Sequence, residues 1–363
     1  MSKFLENFNK TASKFEGVSL NIHEPTFYLD SGNYIINKLL YGSYDKCFPQ
    51  GRLSAIGGLS STGKTFIASN VARYALDNNI GVLYIDTERA IDKGHFKAIG
   101  IDPYHPLLQY AAVQTIEQTV KLVSTFIKEY RKAAETTAFL IVIDSLDMLE
   151  TESEETNYEK GEIKGSQGQN EKQLKKMLKM FVHDIESVPM HMICTKQTYV
   201  NQDDATKFIE PYKFTEALKF AFSQILTVGK MTLKDKTTNE YTGFTLKAFG
   251  SKTRFTKPFQ TAIIQVPYDS GMDPYTGILE VAVALNVVEK NGSWYDYKGN
   301  SFQGEKGFEK FRESVLNDLR KLENETLNVT AEGELESNED SKEETPKEII
   351  KRKFGKKKDE SNS

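Results

Sequence analysis

The sequence is short of the residues that mark disulfide-bonded or metal-rich proteins. Its 363 residues include two cysteines, Cys47 and Cys194, and five scattered histidines. Two cysteines cannot build a disulfide framework, and Cys194 lies in an apolar run, where a buried free thiol is the expected state. The histidines show no metal-ligand spacing. The composition therefore fits a reducing compartment such as the cytoplasm.

Long apolar runs are missing as well. No run approaches the roughly 20 residues that a membrane-spanning helix needs. The first ten residues, MSKFLENFNK, lack the layout of a signal peptide. We therefore expect no membrane partner and a protein that stays in the cytoplasm where it is made.

An excess of either charge is also missing. The chain carries 47 basic and 51 acidic residues, a formal net charge of −4. This balance excludes a surface that is basic all over but leaves room for a local basic groove that binds nucleic acid. The length allows one large or two small domains with a substantial core.

The most informative stretch runs from residue 52 to residue 76. A short apolar run leads into a glycine-rich octet, and an apolar stripe of helical spacing follows, which predicts strand, phosphate loop and helix. The glycines allow loop N–H groups to point at a polyphosphate at the helix N-terminus. Lys64 then neutralises the β- and γ-phosphates, and the Thr65 hydroxyl ligates Mg²⁺. The alternative is a glycine-rich turn that happens to contain a lysine. The residues assigned to nucleotide binding are Gly58, Leu59, Ser60, Ser61, Thr62, Gly63, Lys64, Thr65 and Phe66.

Apolar runs and helical stretches alternate after this loop. Continuous apolar strands between amphipathic helices predict an α/β fold with a mostly parallel sheet covered on both faces. Beyond residue 225 short strands separated by polar turns predict an antiparallel extension of that sheet. The strand runs are 81–86, 139–144, 190–195, 225–228, 226–231, 243–247 and 261–266, and the helical stretches are 116–134 and 174–185.

The chain divides into four predicted regions. Residues 1–29 form an N-terminal arm whose helix has apolar residues at helical spacing, so that it must dock on its own core or on a neighbouring subunit. Residues 30–270 form the ATPase core, and residues 271–327 form a small C-terminal α/β unit with helices at 279–288 and 308–319. Residues 328–363 are acidic and then basic, a composition that predicts disorder.

Three polar side chains at predicted strand ends are candidates for the chemistry. Asp144 ends the run 139–143 and suits a Walker-B acid that positions Mg²⁺, the alternative being a helix N-cap. Glu88 is the candidate for orienting and deprotonating an attacking water, with Asp86 as the alternative. The amide of Gln197 can hydrogen-bond the γ-phosphate.

Two long, loosely patterned segments, 150–169 and 199–214, complete the predicted core. Long loops in a compact domain are usually functional. Aromatic residues mixed with lysines suit stacking on bases and contact with phosphates of a single strand, although plain surface loops are the alternative. The candidate DNA-binding residues are Lys164, Tyr199, Lys207, Phe208, Tyr212 and Lys213.

Taken together, these motifs resemble those of the RecA-type recombinases in sequence and order, over roughly residues 30–310. The passage 269–295 is especially similar to the phage UvsX strand-exchange proteins. The resemblance implies a RecA-like P-loop core and an ATP-dependent helical filament on single-stranded DNA, which pairs it with homologous duplex DNA and exchanges strands in recombination and repair. It also implies a single-strand-binding protein and a recombination mediator as partners. The motifs are GLSSTGKT (58–65), YIDTERAID (84–92), IVIDS (141–145), KQTY (196–199), EALKFAFSQI (216–225), LKAFGSKTRFTKPF (246–259) and NGSWYDYKG (291–299).

Site roles follow from the same resemblance. Glu88 is similar to the family's catalytic glutamate, Asp144 to its Walker-B acid and Gln197 to its γ-phosphate sensor. Asp92 and His95 fall where the family contacts adenine, with a histidine in place of the aromatic residue common in bacterial members.

Further parallels concern the contacts between subunits and with DNA. Lys252 and Arg254 match paired basic residues that reach the γ-phosphate from the adjacent subunit. Segments 150–169 and 198–215 resemble the two DNA loops, and the N-terminal helix resembles the docking arm. The chain departs from the bacterial pattern at 214–216, where Phe-Thr-Glu replaces a segment with a pair of glycines.

Two other functions remain open at this level. A nucleotide-switched mediator or paralogue would bind ATP and scarcely hydrolyse it, and Glu88 argues against that reading. A ring-forming RecA-fold helicase would assemble into closed hexamers instead of filaments.

Overall fold

The structure is a computed structural model of the chain. It describes residues 2–15, 20, 24–161, 168–202, 212–234 and 238–339, with side chains described as far as residue 325. The chain forms two compact units, one ending at Val281 and the other beginning at Ala282. Of the helices in the described part of the chain, none combines the length and the apolar composition needed to span a bilayer.

Helices and strands alternate along most of the described residues, in both units. The helices are α1 (Lys3–Ala12), α2 (Tyr34–Tyr41), α3 (Lys64–Asp77), α4 (Lys93–Ile99), α5 (Ile116–Lys132), α6 (Glu152–Glu159), α7 (Gln169–Glu186), α8 (Glu216–Lys219), α9 (Ile278–Ala284), α10 (Gly304–Phe308) and α11 (Arg312–Glu339), with a 3₁₀ turn at Leu146–Met148. The strands are β1 (Tyr28–Leu29), β2 (Phe48–Pro49), β3 (Leu53–Gly58), β4 (Gly81–Asp86), β5 (Leu108–Ala112), β6 (Phe139–Asp144), β7 (Met190–Gln197), β8 (Tyr199–Val200), β9 (Tyr212–Lys213), β10 (Gln224–Lys234), β11 (Tyr241–Thr253), β12 (Thr261–Pro267), β13 (Glu289–Asn291), β14 (Trp294–Tyr297) and β15 (Asn300–Phe302).

An eight-stranded sheet organises the larger unit, in the order β12-β11-β10-β3-β7-β6-β4-β5. The pairs from β10 to β5 are parallel, and β10, β11 and β12 pair antiparallel. The predicted α/β fold with a parallel sheet and an antiparallel extension is therefore confirmed.

Both faces of the inner strands β3, β4, β6 and β7 are buried, which explains their continuous apolar runs. Side chains alternate between the faces of a strand. One set of alternate residues, such as Ile141 and Ile143, packs with α5 and α7 in the main core. The other set, which includes Tyr84, faces α3, whose Ser69 lies 3.2 Å from the Tyr84 hydroxyl.

Several elements of the larger unit have no counterpart in the sequence expectations, and strand β5 and helix α6 are the most informative of them. Strand β5, with sequence LQYAA, is only partly buried at the edge of the sheet, so it lacks the apolar run that marks the inner strands. Helix α6 lies within segment 150–169, which was expected to be a loop. Its capping box joins Thr151 and Glu154, a local signal for a helix start. Residues 162–167 lie outside the described residues.

The smaller unit contains the antiparallel sheet β13-β14-β15 and helices α10 and α11. The expected helix at 279–288 is shorter, because α9 ends at Ala284 and Asn286 has a left-handed φ of 57° before β13 begins. The second expected helix, 308–319, corresponds to the end of α10 and the start of α11. Helix α11 continues to Glu339, twelve residues into the tail expected to be disordered, and residues 340–363 lie outside the described residues.

The N-terminal arm forms a helix with several solvent-exposed aromatic side chains. Phe4 and Phe8 in α1 are 72% and 50% exposed, and Phe15 just after it is 58% exposed. Of the apolar residues at helical spacing in α1, Ala12 is buried, whereas the phenylalanine side chains are exposed to solvent.

Candidate nucleotide-binding site

The candidate site lies at one edge of the parallel sheet, where several strands end together. Strand register places Gly58 at the end of β3 beside Gln197 at the end of β7. It also places Asp86 at the end of β4 beside Asp144 at the end of β6. Ligands bind at the carboxyl ends of parallel strands because loops and helix N-termini meet there.

The phosphate loop connects β3 to α3 in a conformation that needs its glycines. A Cβ atom at Gly58 would lie 2.3 Å from the hydroxyl oxygen of Thr62 and 2.7 Å from the carbonyl oxygen of Val228. Gly63 caps α3 with a left-handed φ of 99°. The loop therefore depends on its glycines and leads directly into the start of α3, where helix N–H groups suit phosphate binding.

Lys64 lies across this loop. Its ammonium group donates to the carbonyl oxygens of Gly58 at 3.2 Å and Leu59 at 2.9 Å. Burial lowers the pKa of Lys64, and the carboxylates of Asp147, Glu88 and Asp144 act in the opposite direction. Three acids therefore surround the one lysine of the loop.

Asp144 is buried and held by two hydroxyl groups from neighbouring strands. Tyr84 donates to its Oδ2 at 3.0 Å, and Thr195 donates to its Oδ1 at 2.5 Å. Each carboxylate oxygen thus has one fixed donor. The helix N-cap alternative is not observed, because the following 3₁₀ turn has Ser145 at its N-cap position and no side-chain capping bond.

The acids after β4 have different surroundings. Asp86 accepts from the backbone N–H groups of Glu88, Arg89 and Ile91 and from the hydroxyl of Tyr110, at 2.8–3.0 Å. Its carboxylate therefore shapes the turn that follows β4. This leaves Glu88 as the acid of the pair whose side chain is not used to build that turn.

Glu88 is oriented by the end of β6. Ser145 donates its hydroxyl to Glu88 Oε1 at 2.8 Å. Two hydrogen bonds join Thr87 and Ser145. Thr87 Oγ1 donates to the Ser145 carbonyl at 2.7 Å and accepts the Ser145 N–H at 2.8 Å. The peptide bond between Asp144 and Ser145 is cis. The arrangement presents one carboxylate beside the lysine of the phosphate loop.

Oxygen donors suited to Mg²⁺ are present at this edge. Mg²⁺ prefers oxygen ligands and is commonly held by one or two protein groups together with substrate phosphates and water. Thr65, at the start of α3, and Asp144 provide a hydroxyl and a carboxylate at the phosphate loop. Among the described residues no three His, Cys, Asp or Glu side chains form a ready-made metal cage. The donor set therefore fits a metal that arrives with a nucleotide.

The residues expected near the adenine lie at the start of α4. Asp92 is the N-cap of this helix and accepts the N–H of His95 at 2.7 Å. The ring of His95 lies 3.5 Å from Ser69 on α3. Phe66 turns its half-buried ring edge-on against Phe244 of β11, so its side chain packs on the sheet.

The two basic residues expected to act across a subunit interface are not at this edge. Lys252 pairs in register with Ile225, and Ile225 pairs with Ala55 near the amino end of β3. The Lys252 ammonium donates to the carbonyl oxygen of Lys219 at 2.6 Å. Burial lowers the pKa of Lys252, and the nearby charges of Arg254 and Lys219 lower it further.

The expected DNA residues are only partly described. Strands β8 and β9 pair Tyr199 with Lys213 and Val200 with Tyr212, so they close the base of the second loop. Tyr199 is 64% exposed, and the half-buried Tyr212 covers Gly229 of β10. The remaining candidates, Lys164, Lys207 and Phe208, lie outside the described residues.

Four residues of the site were missed from the sequence. Tyr84, Ser145 and Thr195 hold the acids, and Asp147 binds both Lys196 and the backbone of Gln197. Their partners lie on other strands, which no local pattern reveals. Their position within three residues of a strand end was the available signal.

Comparison with known proteins places these features in a family. The family model of the RecA N-terminal domain matches residues 26–273. The chain is 29% identical over 300 residues to Protein RecA of Thermus aquaticus, covering 79% of this chain and 83% of that one. It is 28% identical over 277 residues to Protein RecA of Phytoplasma mali, covering 74% and 77%. It is also 26% identical over 282 residues to the mitochondrial DNA repair protein recA homolog 3 of Arabidopsis thaliana, covering 76% and 62%.

Proposed function

The chain belongs to the RecA family, and from that premise we propose that it is a DNA-dependent ATPase and strand-exchange recombinase. It forms a helical filament on single-stranded DNA, pairs that strand with homologous duplex DNA and exchanges strands in recombination and repair. The observation that carries the proposal is the convergence of Lys64, Glu88, Asp144 and Gln197 on one edge of the sheet.

Each residue of that edge has a role in the proposed reaction. The loop N–H groups and Lys64 bind the phosphates of ATP, and Glu88 orients and deprotonates the attacking water. Ser145 holds the Glu88 carboxylate in place. Mg²⁺, held by Thr65 and by Asp144 through water, would supply charge neutralisation at the β- and γ-phosphates. Asp92 and His95 lie toward the nucleobase.

Lys252 and Arg254 complete the site of a neighbouring subunit. Their place at the amino end of β3 separates them from the phosphate loop of their own chain. Two cations over the γ-phosphate would stabilise the transition state of hydrolysis. ATP then holds the interface together, and its hydrolysis loosens the filament.

Two exposed features suit assembly and DNA binding. The exposed side chains of Phe4 and Phe8 on α1 support docking on an adjacent subunit. Tyr199 at the base of the second loop supports stacking on DNA bases, together with Tyr212, Lys213 and the predicted residues Lys164, Lys207 and Phe208. Burial of Phe214 against Phe222 anchors the end of that loop where bacterial members carry glycines.

The cellular setting belongs to the proposal as well. A recombinase of this kind acts in the cytoplasm, which is the host cytoplasm if the chain is phage-encoded, as its UvsX-like passage predicts. A single-strand-binding protein and a recombination mediator are its proposed partners. Residues 1–29, 30–270, 271–327 and 328–363 are the proposed arm, core, C-terminal domain and tail.

ATP hydrolysis with and without single-stranded DNA tests the proposal, alongside electron microscopy of the complexes. We expect DNA to stimulate turnover and filaments to match the length of the DNA. Lys64→Ala should abolish nucleotide binding, and Glu88→Gln should keep nucleotide and DNA binding but lower turnover by about 100-fold or more. DNA binding without hydrolysis would favour a mediator, and closed rings would favour a helicase.

A further inference from the structure

The carboxylate of Asp147 links the turn after β6 to the end of β7, close to the proposed γ-phosphate position. Asp147 lies in the 3₁₀ turn after β6. Its Oδ1 accepts from the ammonium of Lys196, and its Oδ2 accepts the backbone N–H of Gln197 at 2.5 Å. Both partners belong to the end of β7. The Asp147 side chain therefore ties the end of β7 to the turn that follows Asp144.

Lys196 is the buried member of this ion pair, and Asp147 is more open to solvent. The side chains of Lys196 and Asp147 are 9% and 23% exposed. Removal of one member of such a pair leaves an uncompensated buried charge, whereas its replacement by apolar residues of similar size is often tolerated. Asp147 also acts on Lys64 more strongly than any other charge, against the burial that lowers the pKa of that lysine. Lys196 thus neutralises an acid that faces the phosphate loop.

The other side of the pair faces the roots of the two proposed DNA loops. A cavity of about 380 Å³ is lined by Asp147 and Lys196, by Gly168 at the end of the first loop, and by Tyr199 and Thr215 at the two ends of the second. The backbone N–H of Thr198, the first residue after β7, donates to the Gly58 carbonyl at 3.1 Å. The backbone around Gln197 is therefore held by Asp147 on one side and by the phosphate loop on the other.

We propose that Asp147 and Lys196 form a positioning pair that couples the nucleotide to the DNA loops. The Asp147 carboxylate fixes the backbone of Gln197, so that a change at the γ-phosphate is passed to the chain entering β8. Lys196 orients that carboxylate and keeps it neutralised beside Lys64. The inference rests on the proposed function and adds to it two residues to which that function assigns no contact with nucleotide or DNA.

The experiment compares two double variants of the full-length chain. Asp147→Leu with Lys196→Met removes both charges and the acceptor for the Gln197 N–H. Asp147→Asn with Lys196→Met removes both charges but keeps an acceptor. The exposed pair Glu129 and Lys132 on α5 provides the matched control, as Glu129→Leu with Lys132→Met.

The measured quantity is a coupling ratio. It is the affinity for a single-stranded oligonucleotide with a non-hydrolysable ATP analogue divided by the affinity with ADP. We expect the Leu/Met variant to lower the ratio about tenfold, within the usual range of coupling between sites. The Asn/Met variant should keep the ratio within about threefold of the parent, because the hydrogen bond to Gln197 survives. The control pair should leave the ratio unchanged, and thermal unfolding should show that every variant is folded.

Two results would overturn the inference. A parental ratio in the Leu/Met variant would make the pair a purely structural contact. Equal loss in both double variants would show that the acceptor for the Gln197 N–H does not matter. If leucine prevents folding, Asp147→Ala with Lys196→Met asks the same question. A parental ratio near one would instead contradict the proposed function, and this inference with it.

Discussion

Lys252 is set back from Gly58 by three residues along the same sheet, toward the amino end of β3. Lys252 pairs with Ile225, which pairs with Ala55, three residues before Gly58 on β3. At about 3.3 Å per residue, the lysine is displaced about 10 Å along the strand from the phosphate loop, in addition to two strand spacings across the sheet. A cation in this place is suited to the phosphates of a second copy of the chain.

Mixing two inactive variants tests this arrangement. Lys64→Ala lacks a working phosphate loop, and Lys252→Ala with Arg254→Ala lacks the cations that act in trans. We expect each variant alone to lose DNA-stimulated ATP hydrolysis by about 100-fold or more. In an equal mixture about one quarter of the head-to-tail interfaces join an intact loop to intact cations. Turnover should therefore return in the mixture, measured as phosphate release.

The Lys252→Ala, Arg254→Ala variant should also bind nucleotide as a monomer with parental affinity, because its own loop is intact. No recovery in the mixture, together with loss of monomer binding, would place the two cations within a single chain's site.

The hydroxyl groups on Asp144 should control the response to magnesium. Tyr84→Phe and Thr195→Val each remove one donor while nearly preserving shape. Because partners that orient a metal-site carboxylate affect metal affinity, we expect about tenfold more Mg²⁺ to be needed for half-maximal binding of a fluorescent ATP analogue. Tyr110→Phe is the matched control, since its hydroxyl donates to Asp86 instead. An equal magnesium shift in all three variants would refute this role.

Substitution of Ser145 should affect catalysis, whereas substitution of Asp86 should affect the stability of the fold. Ser145→Ala frees the Glu88 carboxylate, and we expect kcat to fall about tenfold with little change in KM for ATP.

Asp86→Asn disturbs acceptors that hold the turn after β4, and we expect a loss of about 2 kcal/mol in the free energy of unfolding. A fall in kcat from Asp86→Asn without loss of stability would revive Asp86 as the base.

His191 should make the fold sensitive to acid. Burial lowers the pKa of its ring to about 4. The ring contacts the Pro49 carbonyl at 2.7 Å through Nδ1, and Nε2 is buried with no hydrogen-bond partner among the described residues. Protonation at Nε2 would bury an unpaired N–H. The unfolded chain, with a histidine pKa near 6.5, binds more protons between pH 6.5 and pH 4, so stability falls as pH drops through that window.

Urea unfolding at pH 7 and pH 5 measures this effect. We expect His191 to account for about 2 kcal/mol of the stability lost between the two values. The loss should shrink by that amount in His191→Gln and persist in His183→Gln, a substitution at an exposed position on α7. An identical pH dependence in parent and His191→Gln would contradict the assignment.

Prediction from sequence succeeded where the signal was local. The octet at 58–65 and the apolar strands were recognisable because each is a continuous run, and β4 and β6 have the predicted bounds. Strand β5 was missed because an edge strand needs no apolar run. Helix α6 was missed although Thr151 and Glu154 carry a capping signal, since its apolar pattern is weak.

The roles of individual acids could not be separated in this way. Asp86 and Glu88 are two residues apart, and only their partners distinguish them: Asp86 is occupied by the turn, and Glu88 is oriented by Ser145, 57 positions further along the chain. Asp147 gave no sign of its contact with Lys196, since the two lie 49 positions apart.

The sequence by itself determined the phosphate loop, most of the order of strands and helices, and the family. These features depend on residue types and apolar spacing among neighbouring residues. The tertiary structure alone decided which side chains share a site and that Lys252 is set back from the phosphate loop along the sheet. Parallel pairing is the physical reason, since it joins strands distant in the chain and its register sets which strand ends meet.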